Sequence, residues 1–79
     1  MTARAIADAK RVAQRIEILP TVIYVGYADY VGTPDAAPAD SDPAWTIKKI
    51  TLTGGSPTAI EWTVEGAGVW TNRASETYE

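Results

Sequence analysis

Residues Ala44–Val64 read AWTIKKITLTGGSPTAIEWTV. Two runs rich in β-branched and aromatic residues flank Thr53–Pro57, a linker made of the residues that turns require. Glycine takes positive φ without steric cost, and proline withdraws a ladder donor at a strand boundary. The stretch therefore predicts a β-hairpin. In the second run Ile60, Trp62 and Val64 share one parity, opposite to Glu61, Thr63 and Glu65, which predicts that Ile60, Trp62 and Val64 face the core. The first run changes phase, with Trp45 and Ile47 on one parity and Ile50 and Leu52 on the other. A β-bulge at Lys48–Lys49 would bring all seven apolar residues onto one face, and this is the arrangement expected. The alternative is a strand that is apolar on both faces near its ends.

Upstream, Thr21–Tyr30 reads TVIYVGYADY, the strongest strand signal in the chain. Its Gly26 leaves no side chain, which in a strand marks a close approach; a tryptophan packing over it is the expected reason. Arg15–Leu19 alternates Ile16 and Ile18 against Arg15 and Glu17 and predicts a short strand, ended by Pro20. Before it, Thr2–Gln14 is rich in alanine, with Ile6, Ala9, Val12, Ala13 and Ile16 recurring at three and four. That spacing predicts an amphipathic helix, capped by Thr2, whose narrow stripe must pack on something to persist.

Between the strands, Val31–Pro43 holds three of the five prolines and predicts a long loop. Its Asp40-Ser41-Asp42 lacks the further ligands and closing glutamate of a calcium loop and reads as a solvated turn. Past the hairpin, Gly66-Ala67-Gly68 predicts a second turn, Val69-Trp70 the start of another strand, Asn72-Arg73 a turn, and Ser75–Tyr78 a final extended segment. Tyr78, an aromatic close to the last residue, is expected to dock. The organisation expected is thus an N-terminal helix or docking arm at 1–14 and one β domain at 15–79, containing the loop at 31–43 and the hairpin at 44–64.

Composition narrows the functional classes. Seventy-nine residues make one small domain with a marginal core. With no Cys and no His, disulfides, thiolate metal sites and the usual acid–base and thiol constellations are missing, so oligomerisation or docking is the expected source of extra stability. Glu61, Glu65, Glu76 and Glu79 are the carboxylates left for catalysis. The two on the hairpin strand, Glu61 and Glu65, read as its solvated side. Lys48 and Lys49 read as a hydrated pair rather than a reactive amine. No catalytic residue, metal ligand or cofactor site is expected, and the chain is not read as an enzyme. The net charge of −3 argues against nucleic acid. No apolar run is long enough for a transmembrane helix, and the N-terminus lacks a signal-peptide core, so synthesis in the cytoplasm is expected. Three Trp and four Tyr with no Phe raise a glycan-stacking surface built on Trp45 and Trp70 as a rival reading.

On these residues alone the sequence specifies a small β-rich domain and no chemistry. In their order, however, Tyr24-Val25-Gly26-Tyr27-Ala28, Trp45-Thr46-Ile47-Lys48-Lys49-Ile50, Glu61-Trp62, Trp70-Thr71-Asn72-Arg73-Ala74 and Tyr78 resemble a group of small tailed-bacteriophage proteins. These share Tyr-Ile/Val-Gly-x-Ala, a loop rich in proline or Ser/Thr, Trp-x-Ile-x-Arg/Lys-Ile, a second aromatic strand, and Trp-x-Asn/Asp-Arg-Ala. The likeness spans Val22–Tyr78. The segment before Trp70 is shorter here, and the alanine-rich N-terminus lies outside the shared pattern. The resemblance implies a place among virion proteins and carries no functional residues with it.

The expectations are then these. The fold is mainly β, a small antiparallel sandwich or partly open barrel of about five strands with an N-terminal helix. The function is that of a minor structural protein of a tailed-phage virion, either capsid decoration or a tail, neck or fibre accessory. It is expected to dock, as an oligomer, on other virion proteins through Ile6, Ala9, Val12, Trp45, Trp70 and Tyr78. The alternative is a module that binds glycan or a host surface through exposed Trp and Tyr.

Overall fold

A computed structural model describes residues 10–79. Four antiparallel strands form one sheet in chain order: β1 (Lys10–Ile18), β2 (Val22–Val31), β3 (Thr46–Thr53) and β4 (Ser56–Trp62). Short 3-10 turns occupy Pro34–Ala36 in the long loop and Trp70–Asn72 in the C-terminal segment. Among the described residues there are four strands, not the expected five, and no α-helix.

The N-terminal helix is corrected where it can be seen. Lys10–Gln14 belong to β1 and pair with β2 from Lys10↔Val31 to Ile18↔Ile23. A period-two pattern runs through the same residues as the helical one: Val12, Gln14, Ile16 and Ile18 alternate with Arg11, Ala13, Arg15 and Glu17. Pairing with a strong neighbouring strand outweighs the modest helical preference of a few alanines. Ile6 and Ala9 lie outside the described residues.

The hairpin is present and tighter than its five-residue linker suggested. Gly54 and Gly55 form a two-residue turn with φ of 59° and 83°. This is the pair of left-handed residues that matches the twist of the flanking strands. The bulge sits elsewhere than expected. Lys48 and Lys49 pair in unbroken register with Trp62 and Glu61, and the shift falls between Thr51 and Leu52, where Thr58 is skipped before Pro57. Pro57 is tolerated there because β4 is an edge strand.

The covered face of the sheet carries Tyr24, Gly26 and Ala28 from β2 and Ile47 from β3, with Trp45 just before it. Trp45 and Ile47 are 0% exposed. The C-terminal segment lies across this face. Trp70 (6% exposed) packs over Gly26, where an added Cβ would stand 2.7 Å from its ring carbon Cε3 and 3.3 Å from Trp45. The two indoles lie 6.4 Å apart at 43°. Trp45 and Gly68 exchange both backbone bonds, at 2.9 and 2.7 Å.

Further along, Arg73 grips β1 through a two-pronged ion pair with Glu17, at 2.8 and 2.9 Å, and lies over the Trp70 ring. Its guanidinium also donates to the Trp70 carbonyl. Tyr78 stands beside Tyr24 and donates its hydroxyl to the Arg73 carbonyl at 2.7 Å. Glu79 and Trp62 exchange backbone bonds at 3.1 and 3.0 Å, adding one rung outside β4. The expected strand at Val69-Trp70 is therefore a 3-10 turn, and Ser75–Tyr78 forms a strap rather than a strand.

Candidate functional site: the open sheet face

The opposite face of the same sheet has no covering layer among the described residues. The strand register places its side chains in rows. Ile18, Ile23, Ile50 and Ile60 form one row across the four strands, and Ile16, Val25, Lys48 and Trp62 form the next. Gln14, Tyr27 and Thr46 follow, then Val12 and Asp29, then Lys10 and Val31. Only Val25, at the centre, is buried; Ile18 is 74%, Ile60 57% and Trp62 43% exposed. An antiparallel sheet that meets water on one side normally alternates apolar with polar residues, and this one is apolar on both sides. Contiguous exposed apolar surface of this size marks interaction sites in soluble proteins.

Trp62 was expected in the core, with Ile60 and Val64, and here the structure corrects the sequence reading. Ile60 and Trp62 do share a face, and that face is the open one; Val64, past the end of β4, is 73% exposed. Lys48 lies with its ammonium 5.4 Å from the Trp62 ring, so its aliphatic stem covers part of the indole. Its neighbour Lys49 points to the other side of the sheet, over Tyr78. At one end of the open face Tyr27, Asp29, Ala44, Thr46, Glu65 and Gly66 surround a shallow cleft of about 360 Å3.

The expected docking residues are dispersed. Val12 lies on the open face and is exposed. Trp45 and Trp70 are core residues, so neither offers a docking or stacking surface. Tyr78 is half-buried against the protein's own sheet. The glycan-stacking platform that required exposed Trp45 and Trp70 is therefore not built by these two side chains. The sequence signal for the true patch was β1 and β2 together: β2 is apolar on both parities, which an open-faced sheet does not need.

Several other polar groups hold the loops. Arg15 donates to Asp40 at 2.9 Å and lies over Trp45, whose own indole N–H donates to the Ala39 carbonyl. Asp42 accepts from the Ala39 N–H. The acidic run of the long loop thus ties that loop to the sheet and to itself. Glu76 accepts from the Val69 N–H, and Thr63 accepts from the Ile47 N–H. The guanidinium fork of Arg73 holds Glu17 below its ordinary 4.5. Burial, with the nearby Tyr24 and Glu76, pushes the Tyr78 hydroxyl up to about 12. Both perturbed groups serve the strap, away from the open face.

No protein-family model, curated protein or solved structure matches this chain.

Proposed function

We propose that this protein is a minor structural component of a tailed-phage virion, acting by protein–protein docking as capsid decoration or as a tail, neck or fibre accessory. The observation that carries the docking is the uncovered apolar sheet face, with Ile16, Ile18, Ile60 and Trp62 in water. Leaving such a surface exposed costs solubility, so it is kept where a partner covers it. The virion setting rests on the order of motifs from Tyr24 to Tyr78. The glycan-binding alternative loses its main support with Trp45 and Trp70 in the core.

The test is quantitative peptide mass spectrometry on purified particles, scaled to the major capsid protein. A ratio near one, or a simple fraction of it, means decoration of the capsid. A ratio of a few per cent means tail, neck or fibre. Absence from the particle overturns the virion reading.

A further inference from the structure

We infer that the open face is covered by a second copy of this chain, two sheets packing face to face about a two-fold axis to form an eight-stranded sandwich. The inference rests on the reading of this face as a docking surface and names its occupant.

Area is the first argument. With aromatic side chains burying roughly 150–250 Å2 each and aliphatic ones somewhat less, the exposed fractions of Val12, Ile16, Ile18, Val31, Ile60 and Trp62 leave on the order of 600 Å2 of apolar surface in water. A standard protein interface takes about 800 Å2 from each partner, which this face supplies once its half-buried residues and rim are added. The chain's own N-terminal residues are poor candidates for the cover. Residues 1–9 read MTARAIADA, with Met1 and Ile6 as their only large apolar side chains. The C-terminal strap is already spent on the other face. A sheet with two apolar faces needs a layer on each, and an aligned sandwich provides the second.

Charge is the second argument. The face carries Lys48 on β3 and Asp29 on β2, of opposite sign, on either side of the Tyr27–Thr46 row, with Lys10 beside Val31 at the far end of β1. Because Lys48 stands opposite Val25, the two charges are four residues apart along the strands and one strand apart across them. A two-fold axis through their midpoint sets each Lys48 against the partner's Asp29. With about 3.4 Å per residue and 4.8 Å between strands, that axis inclines the two strand directions by roughly 40°, near the ~30° of aligned sandwiches. The interface is thus self-complementary, as a two-fold contact must be.

Sedimentation velocity over a concentration series tests this on the full chain. A dimer with a dissociation constant in the micromolar range or below is expected. Ile60→Lys places a charge in the apolar row at a position already exposed in the protomer. It should leave the circular-dichroism spectrum and melting cooperative while weakening the dimer by about a hundredfold. Ala74→Lys, on the strap, should leave association unchanged. Lys48→Asp and Asp29→Lys should each weaken the dimer about tenfold, and the double reversal should restore it.

A monomer at every concentration overturns the inference, as does a dimer indifferent to Ile60→Lys, which would place the contact on the β1 edge. Failure of the double reversal to restore association overturns the two-fold pairing. The results separate the two proposals. A monomer whose Ile60→Lys variant is lost from particles keeps the docking reading and removes the second copy. A dimer absent from particles keeps the second copy and removes the virion reading.

Discussion

The two faces of this sheet have nearly the same hydrophobic character and opposite fates. One holds Trp45, Ile47, Ala28 and Tyr24 under a strap that begins at Trp70 and ends at Glu79. The other leaves Ile16, Ile18, Ile60 and Trp62 in water, with Ile23 and Ile50 half-buried between them. What distinguishes them is a crossing of the chain, joined by the long loop, whose Ala39 carbonyl and Asp40 hold Trp45 and Arg15. After β4 the backbone turns through Gly66-Ala67-Gly68, bridges back to Trp45, and lays Trp70 into the gap that Gly26 leaves. Burial in this protein is decided by where the strap goes and not by side-chain type. Two tryptophans of similar surroundings in sequence, Trp45 and Trp62, therefore provide the sharpest contrast.

Removing each ring in turn breaks or sharpens that contrast. Trp45→Ala opens a large cavity in the covered face and should cost about 3–5 kcal/mol, enough to unfold so small a domain. Trp62→Ala should cost the protomer about 1 kcal/mol or less, because its indole is already partly in water. Chemical denaturation of both variants at a protein concentration below that of any association checks the pair. Equal losses would mean that the open face is as well packed as the covered one.

Gly26→Ala should follow, at about 1–3 kcal/mol. The new methyl would stand inside contact distance of Trp70, whose ring is wedged between the sheet and Arg73. Gly54→Ala is a useful companion. Nothing lies near a Cβ there, so any loss comes from its positive φ alone. If Gly26→Ala costs no more than Gly54→Ala, the ring is free to shift and the strap is loosely seated.

How much of this was legible in the sequence follows from the same geometry. The hairpin, β2 and the tryptophan over Gly26 were readable, because each rests on local chemistry: paired glycines, an unbroken β-branched and aromatic run, a missing side chain. The grouping of Ile60 and Trp62 on one face was also readable. Which face would be covered was not, since a period of two is symmetric and the strap that breaks the symmetry arrives from residues 70–79. The phase change in β3 was visible and was given the wrong cause. Trp45 and Ile47 serve the covered face while Ile50 serves the open one, with no bulge at Lys48–Lys49; the register shift comes later, between Thr51 and Leu52. At the N-terminus two periods overlapped, and the strand partner decided. A truncation of residues 1–14, which a separable helix would allow, would here cut Lys10–Gln14 out of β1 and should leave the sheet poorly folded.

The strap offers finer tests. Tyr78→Phe removes the bond to the Arg73 carbonyl and should cost about 1 kcal/mol. Because the Tyr78 hydroxyl is pushed up to about 12, it favours the folded state fully below its ordinary 10.0. That contribution is lost as pH rises between the two values. The wild-type protein should therefore lose stability over that range by one step that Tyr78→Phe lacks. Thermal melts of the two chains at matched pH and ionic strength would show it. Parallel curves would mean that the hydroxyl reaches water in the folded protein.

The smallest effect belongs to the ion pair that fastens the strap to β1. Glu17 and Arg73 meet in a two-pronged geometry, which favours a real contribution, but both side chains are partly solvated, which screens it. Glu17→Gln should lower the melting temperature by only a few degrees at neutral pH. The sign with pH is fixed by the direction of the shift. Glu17 is held below its ordinary 4.5, so its contribution is complete above that value and disappears as pH falls through the lowered one. The gap between wild type and Glu17→Gln should close in acid and narrow in high salt. A gap that stays open in acid would mean that Glu17 acts through packing. The strap would then be held by Trp70 and Tyr78 alone, and its covering of one face rather than the other would owe nothing to charge.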